Sequence, residues 1–237
     1  MQSYTRRQLK EDKFAKGTQE AVHWATEHRQ KVIWAIGLAV VAALAIFGYL
    51  TWNGRQTEQA NIALSKALQT VSAPLRPAGS PADPTSKSFT SIAERGKEAE
   101  KELKAIADQY PHTKPGKIAK YLAGTAAIQA GDNATAEQLL KSAADDRDKN
   151  VAALAKLALA NLYRSMNRQS DAARTYKDLM DHPTDTVSKG RAQLELAEMY
   201  QATDPKEAAT IYQQIQKESP ASMAAQIAAG KLAATAK

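Results

Sequence analysis

An all-α fold, with one transmembrane helix near the N-terminus followed by a solenoid of helical hairpins, is predicted by three observations. Alanine is abundant and aromatics make up only 6% of the 237 residues, while the 11 Gly and 9 Pro gather in a few places instead of recurring every ten residues. That composition favours helix over β structure. Residues 32–52, VIWAIGLAVVAALAIFGYLTW, carry no charge. Further on, Ala136, Ala172 and Ala208 recur every thirty-six residues, as do Leu140, Tyr176 and Tyr212. A period of that length belongs to a helical-hairpin repeat.

The formal charge of +7 is spread thinly: residues 1–31 hold seven Lys/Arg against four Asp/Glu, and residues 53–237 hold twenty-five against twenty-one. Nucleic-acid binding needs cations clustered on one face, preferably with stacking aromatics, and outside the N-terminal tail no such cluster exists. The chain has no cysteine, which removes disulfides, thiolate metal sites, a cysteine nucleophile and a lipid-bearing cysteine.

As a helix, the uncharged run spans about 31 Å, the thickness of a hydrocarbon core. Trp34 near one end and Tyr49 and Trp52 near the other suit the headgroup level, and Arg29 and Lys31 close the first boundary. A cleaved signal peptide would have an apolar region of about 7–15 residues ending at small residues. Here the run is longer and ends in Tyr49, Leu50 and Trp52, with the small pair Ala43 and Ala45 inside it. The segment reads as an uncleaved anchor. Thr5 to Lys10 is only superficially like a twin-arginine signal, because charged residues separate it from the apolar run. Lys13, Lys16, Arg29 and Lys31 before the span outnumber Arg55 and Lys66 after it, which places residues 1–31 in the cytoplasm. Within that tail Leu9, Phe14, Ala21, Trp24, Ala25 and His28 lie at near-helical spacing, as in a helix on the membrane surface. Ala35, Ala39 and Ala43 form a small-xxx-small ladder inside the span.

Residues 53–72 continue as a helix leaving the membrane. Pro74, Pro77, Pro81 and Pro84 with Gly79 then make residues 73–87 a loop. From 88 to 237 the chain reads as short helices separated by turn signals at Gly131-Asp132-Asn133, Asn167-Arg168 and Thr203-Asp204-Pro205.

Around the thirty-six-residue anchors the pattern resembles the tetratricopeptide repeat. Gly124, Ala160 and Ala197 take its small position on helix A, Tyr163 and Tyr200 its aromatic position, and Pro220 its terminal proline. The small residues let helices A and B of one hairpin approach, and Tyr176 and Tyr212 fill the space between neighbouring hairpins. A degenerate earlier unit ends at Tyr110-Pro111, with Ala99 and Leu103 on its helix B and the segment leaving the membrane as its helix A. The early helix-A tryptophan is missing, Ala127 replaces a tyrosine, and the third repeat is one residue shorter between Tyr200 and Ala208. A basic tail, one span and degenerate repeats together look like the bacterial inner-membrane family of ancillary subunits of the Sec translocon. That resemblance implies a periplasmic repeat domain, contact with Sec translocon subunits and periplasmic chaperones, and a role in helping newly exported proteins.

No catalytic constellation accompanies the repeats: GxSxG, GxxxxGK[ST] and HExxH are all missing, so no enzyme, cofactor or metal site is expected. His112 and His182 stand beside prolines in turns and read as solvated. Asp146-Arg147-Asp148-Lys149-Asn150 opens like a calcium loop, but Val151 and Leu157 stand where Gly and Glu are required, leaving a helix–helix turn. Asn133-Ala134-Thr135 reads as a helix cap. The remaining candidate is the concave face of the A helices, with Tyr121, Thr125 and Gln129 from the first repeat, Asn161 and Arg164 from the second, and Arg191, Glu198 and Gln201 from the third. This polar, mixed-sign set suits extended polypeptide bound through hydrogen bonds. The expected function is a membrane-anchored scaffold or chaperone-like protein whose partners are proteins and membrane lipid. An organiser of another envelope complex, in cell division or outer-membrane assembly, is the alternative.

Overall fold

The computed structural model describes residues 26–77, 79–80 and 87–235. Leu9, Phe14, Ala21, Trp24 and Ala25 of the proposed surface helix, the arginine pair of the tail, and Pro81 and Pro84 lie outside the described residues. The described chain is all-helical: α1 Arg29–Val71, α2 Ile92–Gln109, α3 Lys114–Ala130, α4 Asn133–Ala144, α5 Lys149–Ser165, α6 Gln169–Asp181, α7 Lys189–Gln201, α8 Pro205–Glu218 and α9 Met223–Thr235. It divides into two compact units, Met1–Arg55 and Gln56–Lys237.

In the first unit, α1 is long and apolar enough to cross a membrane. Every large apolar side chain from Ile33 to Trp52 is more than half exposed, so no protein core satisfies this surface.

In the second unit, local signals set the helix ends. Ser91 accepts a hydrogen bond from the Glu94 amide at 3.0 Å, and Glu94 accepts one in return from the Thr90 amide at 2.7 Å, a reciprocal cap. Thr113, Asp148, Ser188 and Asp204 cap α3, α5, α7 and α8, each side chain accepting from an amide of the first turn, with Pro205 opening α8. Gly131, at φ 82°, closes α3 in the left-handed region. The cap of α4 is Asp132 and not Asn133: its carboxylate accepts from the Thr135 amide at 3.0 Å and the Thr135 hydroxyl at 2.7 Å, leaving Asn133 as the first helical residue. The turn after α4 is likewise organised by side chains, with Asp146 accepting from the Asp148 amide at 2.8 Å and pairing with Lys117 at 2.8 Å.

The part of the proline-rich loop that is described holds no helix, and its base is tied. The Arg76 amide donates to Phe89 O at 2.8 Å and the Phe89 amide to Pro74 O at 3.1 Å, while Phe89 and Ala73 are buried. Lys87 bridges the Thr70 hydroxyl and Glu102.

Packing follows the thirty-six-residue anchors. Ala136, Ala172, Ala208, Leu140, Tyr176 and Tyr212 are all buried, as are Ala160 and Ala197. At Gly124 an added Cβ would lie 2.7 Å from Leu140 Cγ, so helices α3 and α4 touch where the repeat calls for a small residue. The degenerate first unit is real packing: Ala60, Leu64 and Ala67 of α1 share a core with Ala99, Leu103 and Ile106 of α2. A larger core runs from α3 to α9.

The two buried tyrosines differ in one respect. The Tyr176 hydroxyl donates to Asn161 Oδ1, whereas the Tyr212 hydroxyl is buried without a partner. Tyr176→Ala should therefore cost about 3–5 kcal/mol in denaturant unfolding, through the cavity left by the ring. Tyr176→Phe should cost about 1 kcal/mol and Tyr212→Phe close to nothing. Equal losses for the two phenylalanine variants would contradict the assigned hydrogen bond.

Glu218 ties α7 to α8. Its carboxylate accepts from Gln214 at 2.8 Å and from the buried Gln193 at 3.1 Å, and pairs with Lys189 at 2.9 Å. The hydrogen bond from Gln214, followed by those from Lys189 and Gln193, pulls its pKa from the ordinary 4.5 to about 2. A depressed carboxylate stabilises the fold above its unfolded pKa and loses that contribution as pH falls through the folded value. The stability gap between the wild type and Glu218→Gln should thus be constant above about pH 5 and close between about pH 4 and 2 in acid titrations of unfolding free energy.

Candidate functional site

Helical geometry places Tyr121, Thr125 and Gln129 on one face of α3, four residues apart, and Asn161 and Arg164 on one face of α5. Arg191, Glu198 and Gln201 lie along α7. The eight positions do not form one contact group. On α3, Gln129 is exposed, Thr125 turns its hydroxyl back to Leu122 O at 2.8 Å, and Tyr121 is half-buried against the large core, where burial raises its pKa. Gln201 is half-buried at the far end of α7.

The α5 and α7 residues do come together, around a side chain that the sequence reading passed over. Glu195 is almost buried, and Arg191 grips its Oε1 through Nε at 2.9 Å and Nη2 at 2.8 Å. Arg164 approaches Glu195 Oε2 from α5 at 3.8 Å, outside hydrogen-bond range. Asn161 spends its carbonyl oxygen on Tyr176, and Glu198 pairs with Lys231 of α9 at 3.1 Å. Burial pushes the Tyr176 hydroxyl up to about 12, with Arg164, Glu195, Glu198 and Arg191 all close enough to act on it. Two arginines, two carboxylates, an amide and a phenol thus meet on the A-helix face. The i,i+4 spacing of Arg191 and Glu195 was a readable sign of this pair, but the arrival of Arg164 from another hairpin was not.

The two histidines that stand beside prolines are peripheral. His112 is exposed in its turn, and His182 is exposed with Nδ1 3.2 Å from Asp178 Oδ1. Among the described residues no group of three or more His, Cys, Asp or Glu could hold a metal ion.

A stack of small-residue hairpins with a polar A-helix face is the architecture of a repeat scaffold, and a family model described as a tetratricopeptide repeat-like domain matches residues 23–175. The chain belongs to this family. The match covers more than half of the chain, and the tetratricopeptide-like packing continues past it through α7 and α8, where Ala208 and Tyr212 repeat the burial of Ala172 and Tyr176. Neither a curated protein nor a solved structure matches the chain. Tetratricopeptide-like repeats are protein-interaction scaffolds, which agrees with a polar face offering side chains at fixed spacing.

The geometry changes what a test of Arg164 and Arg191 means. Reading the sequence alone leaves both free on the groove, removable without harm to the fold. In the structure they neutralise an almost buried carboxylate. Replacing both with alanine should cost about 1–3 kcal/mol of stability, discounted from a fully buried pair because both guanidiniums are substantially exposed. Adding Glu195→Gln should recover most of that loss in thermal or denaturant unfolding. No recovery would mean that the arginines stabilise the fold through their packing and not through Glu195.

Proposed function

We propose that this protein is a membrane-anchored scaffold whose repeat domain holds extended or non-native polypeptide at the site of protein export, as an ancillary partner of the Sec translocon. The observation that carries the reading is the partly exposed, mixed-sign A-helix face on α3, α5 and α7, which offers donors and acceptors to a peptide backbone. Its affinity for any one segment is weak, because few of these groups are preorganised toward a ligand and several are spent on one another. An exposed apolar helix near the N-terminus supplies the anchor. Restriction to the bilayer raises the effective concentration of the repeats beside the translocon, so tethering does what intrinsic affinity does not. The excess of Lys and Arg before the span supports a cytoplasmic N-terminus and a periplasmic repeat domain.

Protease added to the outside of spheroplasts should digest the chain beyond about residue 55 and spare the tail; protection of the repeats would reverse the assigned orientation. In the same membranes, in-cell crosslinking followed by purification should recover translocon subunits. Recovery of cell-division or outer-membrane assembly proteins in their place would remove the export reading while leaving the scaffold.

A further inference from the structure

Two hairpins that match in register treat their central tyrosines differently. Tyr176 and Tyr212 hold the same place in successive repeats, and both rings are almost completely buried. The positions that answer them on the A helices correspond as well: Asn161 follows the small Ala160 on α5, and Glu198 follows the small Ala197 on α7. In the hairpin of α5 and α6 the bond is made, with the Tyr176 hydroxyl donating to Asn161 Oδ1. In the hairpin of α7 and α8 it is not. Glu198 Oε1 holds Lys231 of α9 at 3.1 Å, and the Tyr212 hydroxyl stays buried without a partner. Lys231 and Glu198 are the charged groups close enough to act on that hydroxyl, so the ion pair sits beside the bond it replaces.

A buried hydroxyl without a partner costs folding free energy, and docked α9 brings little to offset it. Among the described residues of α9 only Ala225 and Ala228 are buried, while Met223 and Ile227 are 71% and 41% exposed. Helix α8 instead buries Ile211, Tyr212 and Ile215. The ion pair to Lys231 is weak as well, because both of its side chains are more than a third exposed. A helix with so few buried apolar contacts opens at low free energy while its neighbours remain folded.

We propose that α9 is a detachable cap on the hairpin of α7 and α8, with Glu198 as its latch. While α9 is docked, the carboxylate holds Lys231; when α9 leaves, the carboxylate turns to accept the hydrogen bond of Tyr212. The departure of α9 therefore completes the polar pairing of the hairpin that it uncovers. The two states differ by the exchange of one partner for another at a single carboxylate, which makes the cap a two-state element. This device is independent of what the repeats bind.

Hydrogen exchange of the full chain in lipid nanodiscs reads the two helices separately. Amides of residues 227–234 should be protected about a hundredfold less than those of α8, through an opening that leaves α8 folded. Tyr212→Phe removes both the orphan hydroxyl of the docked state and the hydrogen bond of the released one. It should raise the protection of α9 about fivefold or more, with the protection of α8 and the thermal midpoint as in the wild type. In a Glu198→Ala background the same substitution should change α9 protection by less than about twofold, since the acceptor is gone. Tyr176→Phe, whose hydroxyl pairs within its own hairpin, should leave the opening of α9 unchanged. Exchange of α9 only together with α8 would overturn the cap. Unchanged or reduced α9 protection in Tyr212→Phe, or a gain that persists without Glu198, would overturn the latch.

Discussion

Each hairpin depends on two helices coming closer than ordinary side chains allow, and that contact organises most of what the rest of the domain does. Leu140 fits against the bare backbone of Gly124, and Ala160 and Ala197 occupy the same place in the next two hairpins. With helix A and helix B drawn together, the large residue at the centre of each B helix, Leu140, Tyr176 or Tyr212, is buried almost completely. Burial of that kind happens only when a neighbouring hairpin completes the enclosure, so stability accumulates along the stack. It also fixes which side of each A helix is left over, and the polar residues of α3, α5 and α7 are that remainder.

Charged pairs then tie neighbouring helices at their ends. Lys117 reaches Asp146 in the turn between α4 and α5, Lys156 reaches Asp178 across the second hairpin, and Arg168 bonds to Glu137 at 2.8 Å while lying over the Tyr163 ring. Most of these groups are partly exposed, so each contributes little to stability by itself. Their value is geometric, since a directional pair at the end of a helix opposes the sliding that alanine-lined contacts would permit. The Glu195 cluster differs because its carboxylate is nearly out of solvent, and so Arg191, bonded to it, is held on the A-helix face.

A face of this kind favours contacts that are numerous and individually weak. Thr125 and Asn161 are already engaged within the domain, and the charged residues partly cancel. The side chains of the helix from Ile33 to Trp52 are exposed, and that helix is long and apolar enough to cross a membrane.

Much of this was legible in the sequence because it is local or strictly periodic. The uncharged run needs only its length, and the turn signals at Gly131-Asp132 and Thr203-Asp204-Pro205 are set by residues within one turn. The thirty-six-residue recurrence marks the buried centre of each hairpin without any knowledge of the path between them. Even here a near neighbour mattered, since Asp132 and Asn133 are both good caps and only backbone geometry makes Asp132 the one. What the sequence could not determine were contacts between residues far apart in the chain whose pairing follows no period. Glu195 is a surface-type residue by composition, yet packing buries it under arginines from two helices. Tyr176 and Tyr212 are equivalent by register, yet one hydroxyl meets Asn161 and the other has Glu198, drawn away by Lys231, at the corresponding place. Side-chain identity sets what each group is able to bond, and the packing of helix on helix in the folded stack sets which of those bonds are made.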